Sequence, residues 1–154
     1  VTRDLGQVST LPVTPALRTY PIYKSFRDVP DMLRRTPGLI FEKFVPEQDE
    51  RGFYMRVWTF FGDRERSSRF RAKVPIIKSD DILERETITV PDEIRAWREK
   101  LQFDFGKFDF VIHQGQPILL DTNRTPGAPG NPTVSHQGGT DYGFIGEGLY
   151  KYLR

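Results

Sequence analysis

Asp109, Asp121 and Asn123 stand on two short apolar stretches, FDFVI and PILLDTN, joined by HQGQ. Two carboxylates and an amide oxygen at the mouth of a hairpin are donors suited to Mg²⁺. That ion takes oxygen ligands in near-octahedral geometry, uses one or two carboxylates from protein, and leaves its other positions to water and substrate phosphates. The chemistry so indicated is that of a nucleotide site, not of a sealed structural metal.

Whether these residues can cooperate depends on the turn, because loop length fixes which side chains share a face of a hairpin. A two-residue loop of Gln114 and Gly115 pairs His113 with Gln116, and in a regular ladder it sends Asp109 and Asp121 to opposite faces. A three-residue loop of His113, Gln114 and Gly115, with Gly115 left-handed as a bulge glycine, pairs Ile112 with Gln116 and sets Leu119 opposite Asp109. Asp109, Asp121 and Asn123 then share one face, the two Asp as diagonal neighbours with Cβ atoms about 7 Å apart. A metal site requires the second register, which is therefore the one predicted, with basic side chains from the facing strands approaching the two carboxylates.

The stretch FDFVI, HQGQ, PILL, DTN, RTPG resembles the C-terminal end of the ATP-grasp fold, whose signature is an Asp-bearing strand, a turn, an apolar strand, then Glu-x-Asn and often Pro-Gly. The resemblance spans residues 39–127, with the last twenty the specific part. Asp121 stands where the family has glutamate, one methylene longer. The resemblance implies an α+β fold, a largely antiparallel sheet with covering helices, in which residues 39–154 form the ATP-grasp C-terminal subdomain and residues 1–38 a lead-in carrying what would be left of a middle subdomain. It implies ATP and Mg²⁺, with Mn²⁺ as a substitute ion, and metal ligation by Asp109, Asp121 and Asn123.

Further roles follow from the same resemblance. LIFEKFV, residues 39–45, reads as the hinge strand that meets adenine, with Glu42 as acceptor, Lys43 and Val45 as backbone partners, and Glu47, or Glu50 in its place, against the ribose. FYMRVWTFF, residues 53–61, is a strand by its β-branched and aromatic content, Gly62-Asp63 a turn, and residues 66–77 the return strand. Arg56 is the first candidate for a phosphate or catalytic contact, and Arg71 or Lys73 the second. Arg124, after Asn123, is placed to point at the reaction centre and pair with a substrate carboxylate or the transferring phosphate.

Plainer readings exist for each. Asp beside a turn is commonly turn chemistry, and alternating Arg and Lys commonly form a solvated edge. His113 at the turn tip reads as exposed, and His136 in the glycine-rich tail as a loop residue that could touch substrate.

The remaining elements must support the hairpin. A short helix is expected near residues 30–35, a charged link over residues 80–90, and a better helix opening at Pro91, where Asp92 and Glu93 complement the helix dipole. Ile94, Trp97 and Leu101 give that helix one buried stripe. Residues 124–143 read as loop, and a short helix closes the chain near residues 145–153. The 154 residues suit a single core built on twelve Phe, while 23 basic and 21 acidic residues, interleaved, argue against generic nucleic-acid binding. The absence of cysteine removes disulfides and thiol chemistry. With no long apolar run and no signal-peptide pattern, the expectation is a cytoplasmic protein without a membrane partner.

The implied activity is that of an ATP- and Mg²⁺-dependent ligase portion that activates a small-molecule or peptide carboxylate as an acyl phosphate for an amine or similar nucleophile. The strand lysine and glycine-rich loop that clamp the phosphates are not evident: Lys24 is followed by no such loop, and Gly6-Gln7 is at most its remnant. The segment is thus expected to be inactive alone, as part of a longer chain. The alternatives are a non-catalytic nucleotide-binding or scaffold module of the same fold, and a metal-dependent phosphohydrolase.

Overall fold

The computed structural model describes residues 21–125 and 142–153. His136 and Gly6-Gln7 lie outside the described residues. The chain divides into two units, Val1–Phe44 and Val45–Arg154. In the first, a 3-10 turn at Phe26–Asp28 precedes helix α1, Asp31–Arg34. Ser25 donates its backbone N–H to Asp28 Oδ2 at 3.0 Å, Val29 and Leu33 are buried, and Phe26 meets Phe41 edge-on at 5.5 Å. Residues 39–45, expected as a strand, carry no regular structure.

The second unit is α+β, with six antiparallel strands: β1 Glu47–Asp49, β2 Gly52–Phe61, β3 Arg64–Ala72, β4 Glu84–Thr87, β5 Phe105–His113 and β6 Gln116–Asn123. The order across the sheet is β4-β3-β2-β5-β6, with β1 also paired to β2. The charged link expected over residues 80–90 contains β4, and β3 stops at Ala72, five residues short of the predicted return strand. Gly62, at positive φ, starts the two-residue turn between β2 and β3.

Alternation on the strands builds two unlike faces. Trp58 and Phe60 of β2 and Phe108 and Phe110 of β5 point to one face, where Val90, Ile94 and Phe103 complete a buried core. The rings meet edge to face, Phe60 to Phe108 at 5.2 Å and Trp58 to Phe108 at 5.8 Å, the arrangement ring quadrupoles favour. Helix α2, Asp92–Lys100, covers this face. Its stripe is narrower than expected: Ile94 is fully buried and Leu101 packs on the core, but Trp97 is exposed. Beyond the helix Gln102 turns left-handed, Phe103 N donates to Arg98 O and Gln102 N to Glu99 O, which satisfies the last carbonyls and drops Phe103 into the core. Near the C-terminus come α3, Tyr142–Gly146, and a 3-10 turn at Glu147–Tyr152. No helix among the described residues is long and apolar enough to cross a membrane.

The β5–β6 hairpin corrects the predicted register. Its loop has two residues, Gln114 and Gly115, both at positive φ, and His113 pairs with Gln116. Such a turn matches the twist of the strands, and Gln114 accepts the left-handed conformation in order to make it. The extra residue enters farther along: a bulge at Leu120 separates the pair Phe110↔Leu119 from the pair Asp109↔Asp121. The bulge shifts the register by one, so Asp109 and Asp121 still share a face, directly opposite each other instead of diagonal.

Candidate functional site

The face of the sheet away from α2 is polar at its centre. Asp121, Asp109, Val57, Ser68 and Thr87 form one row across five strands, and Asn123, Lys107, Thr59 and Arg66 the next. Ser68 and Thr59 are buried. Arg85 Nε donates to Ser68 Oγ at 3.0 Å, and the Arg66 guanidinium stacks over Phe144 of α3 at 5.4 Å.

Asp109 is the most constrained acid of this face. Lys107 Nζ donates to its Oδ2 at 2.9 Å, and its side chain is 16% exposed. Its other oxygen, Oδ1, is buried and takes no hydrogen bond among the described residues. Burial pushes the Asp109 carboxyl above the ordinary carboxylate range, the Lys107 ammonium pulls it back, and the charge of Asp121 across the ladder adds to the rise. Two facing carboxylates, one of them buried and held by the Lys107 ammonium, leave a net negative charge that a divalent cation would relieve. Lys107 was readable from the alternation in GKFDF, two residues before Asp109, but only the register shows that it, and not an arginine, reaches the acid.

The other candidates are arranged differently from expectation. Asn123 lies on the same face, opposite Lys107 and one row from the two carboxylates, and its Oδ1 accepts from Thr125 N at 2.7 Å, closing an Asx turn. Among the described residues no group of three His, Cys, Asp or Glu side chains is gathered around a metal position.

Arg56, Arg71 and Lys73 do not approach the acid pair. Arg56 pairs with Phe110 in the ladder and Arg71 with Tyr54, which puts both on the face opposite Asp109. Each is held by an acid: Arg56 donates from Nε at 2.8 Å and Nη2 at 2.7 Å to Glu47, and Arg71 from Nε at 2.9 Å to Glu84. Lys73 falls beyond the end of β3 and donates to Arg51 O at 3.1 Å.

Arg124 turns toward the helix-covered side. It donates to Leu101 O at 2.9 Å and lies 4.1 Å over the Phe103 ring, a cation capping the C-terminal end of α2 and not one aimed at Asp109. Glu42 and Lys43 are exposed residues of the first unit, while Val45, half-buried, opens the second. Glu47, expected against the ribose, has both its oxygens engaged by Arg56, and Oε2 also accepts the backbone N–H of Ile112 at 2.6 Å. His113, expected to be exposed, is half-buried, with Nδ1 2.8 Å from Pro46 O. No local sequence signal marks these two contacts, since their partners are more than sixty residues apart.

In comparison with known proteins, no family model matches the chain and no curated protein matches its sequence.

Proposed function

We propose that this chain is the C-terminal, nucleotide-binding part of an ATP-grasp ligase, which holds Mg²⁺ and ATP for the activation of a carboxylate as an acyl phosphate. The observation that carries the reading is the Asp109–Asp121 pair, facing across the β5–β6 ladder with a buried Asp109 oxygen that no donor among the described residues satisfies. Asp109 and Asp121 would hold the ion, which supplies charge neutralisation at the transferring phosphate. Asn123 stands in the next row of the same face. Lys107 takes the place that Arg56, Arg71 and Lys73 were expected to fill, since it alone of these cations touches the acid pair. The adenine edge at Val45, with Glu42 and Lys43 before it, rests on the resemblance of LIFEKFV to the hinge strand. The substrate would be a small-molecule or peptide carboxylate, and the setting cytoplasmic.

A second reading, a nucleotide-binding module of the same fold without transfer chemistry, is favoured by the engagement of Arg56 by Glu47 and of Arg71 by Glu84, which leaves those two cations committed within the fold. Calorimetry with ATP in the presence and absence of Mg²⁺ tests the common core of both. Binding that depends on Mg²⁺ and is lost in Asp121→Asn is the expected result; ATP binding indifferent to Mg²⁺ and to that substitution would sink it. Release of phosphate or formation of an acyl adduct in the presence of a carboxylate substrate separates the ligase from the silent module.

A further inference from the structure

Resting on the nucleotide reading above, we infer that His113 and Glu47 are positioning residues for the adenine side of the site: they tie the backbone around Val45 and Pro46 to the strand that carries Asp109. β1 and β5 lie along the same edge of β2, which pairs with β1 through Tyr54↔Glu47 and with β5 through Arg56↔Phe110. Past Phe110 the strand β5 has run out of partners on β2, and the N–H of Ile112 would face a gap between collinear strands. Glu47 fills the gap, taking that N–H at 2.6 Å while Arg56 neutralises the same carboxylate.

One residue on, His113 Nδ1 meets Pro46 O at 2.8 Å. A carbonyl oxygen only accepts, so Nδ1 carries the hydrogen and donates. Two successive residues of β5, Ile112 and His113, therefore grip two successive residues of the entering chain, Glu47 and Pro46. Val45, the next residue upstream, is held at a fixed offset from Asp109, which lies four residues back along β5. A nucleotide has a fixed span between its base and its terminal phosphates. If the base docks at Val45 and the phosphates at the carboxylate pair, both ends bind together only when that offset is held. His113 contacts neither end itself, so its loss should weaken the base contact and spare the phosphates.

The experiment compares Mg²⁺-ATP with Mg²⁺-tripolyphosphate, which carries the phosphates without the base, by calorimetry on the full chain. Wild type should bind both. His113→Phe should weaken ATP roughly three- to tenfold, as loss of one positioning hydrogen bond would, and leave tripolyphosphate unchanged. His113→Asn, whose amide can donate in place of Nδ1, should recover most of the ATP affinity. If His113→Phe does not fold, His113→Ser, too short to reach Pro46, takes its place. Unchanged ATP binding in the Phe or Ser variant overturns the inference alone. Equal weakening of both probes also overturns it, because damage to the hairpin and not positioning of the base would be the cause. A wild-type chain that binds neither probe instead overturns the nucleotide reading itself, and with it this inference.

Discussion

Asp109 and Asp121 face each other directly across the β5–β6 ladder, and they do so because Leu120 is bulged out between Asp121 and Leu119. Two acids at directly opposed positions repel, and cross-strand like charges are ordinarily destabilising. Here one of them, Asp109, is also largely buried, and Lys107, two residues earlier on the same strand, donates to it. Such an arrangement weakens the fold and is expected where binding needs it.

Asp109→Asn should therefore stabilise the metal-free protein, on the order of 1 kcal/mol, by removing a buried charge with an unsatisfied oxygen. Lys107, itself about one-third exposed, can turn to water when its partner is neutralised. Urea denaturation without divalent ions reads the gain, and a variant less stable than wild type would count against the site. The same substitution should remove Mg²⁺-dependent ATP binding.

Glu47→Ala should be among the most damaging single changes in the second unit, at about 3–5 kcal/mol. It strands Arg56, whose side chain is 15% exposed, and leaves the Ile112 N–H without its acceptor. A ribose contact would behave in the opposite way, lowering nucleotide affinity while leaving the urea midpoint in place.

Arg124→Ala should lower stability by about 0.3–1 kcal/mol, the usual value of a cation at a helix C-terminus. ATP affinity should not move, because the guanidinium faces Leu101 O and the Phe103 ring. A thermal melt alongside calorimetry distinguishes this from a role at the reaction centre, where affinity or turnover would fall with stability intact.

Glu84 gives the fold a dependence on acid. The Arg71 guanidinium hydrogen-bonded to it, with Arg51 adding attraction, holds its carboxyl down at about 2. A carboxyl depressed in the folded state contributes stability above its unfolded value, near the usual 4.5, and loses that contribution as pH falls through the folded value. Glu84→Gln should accordingly flatten the loss of stability between about pH 4.5 and pH 2, a comparison made by denaturation across that window. A variant whose profile overlays wild type would show that the Arg71–Glu84 pair is broken in solution.

The long strands and α2 were legible because each repeats a period: Tyr54, Trp58 and Phe60 mark one face of β2, and Pro91 with Asp92 and Glu93 marks the start of α2. β1 and β4 were not, since EQD and ERET have neither apolar alternation nor β-branched runs, and they are strands only because β2 and β3 offer them an edge. The positive φ of Gly115 was legible and that of Gln114 was not, because glycine advertises the left-handed region and glutamine does not. Which cation reaches Asp109 depends on Val57, and not Arg56, standing opposite it. That is a long-range register, and no local pattern encodes it.

The bulge at Leu120 separates the length of the hairpin from the geometry of its acids. With the two-residue turn retained, deleting Leu120 would place the aspartate that follows it opposite Asp109 in a regular ladder, so the chain can lose this residue without losing the pair. A residue added to the turn leaves the pair in place only if the loop lengthens to three residues; with a two-residue turn kept, it would slide every position of β6 past β5. Along this strand, then, tolerance to changes in length is not confined to the loop, where insertions are ordinarily absorbed, but extends to one inconspicuous leucine in mid-strand.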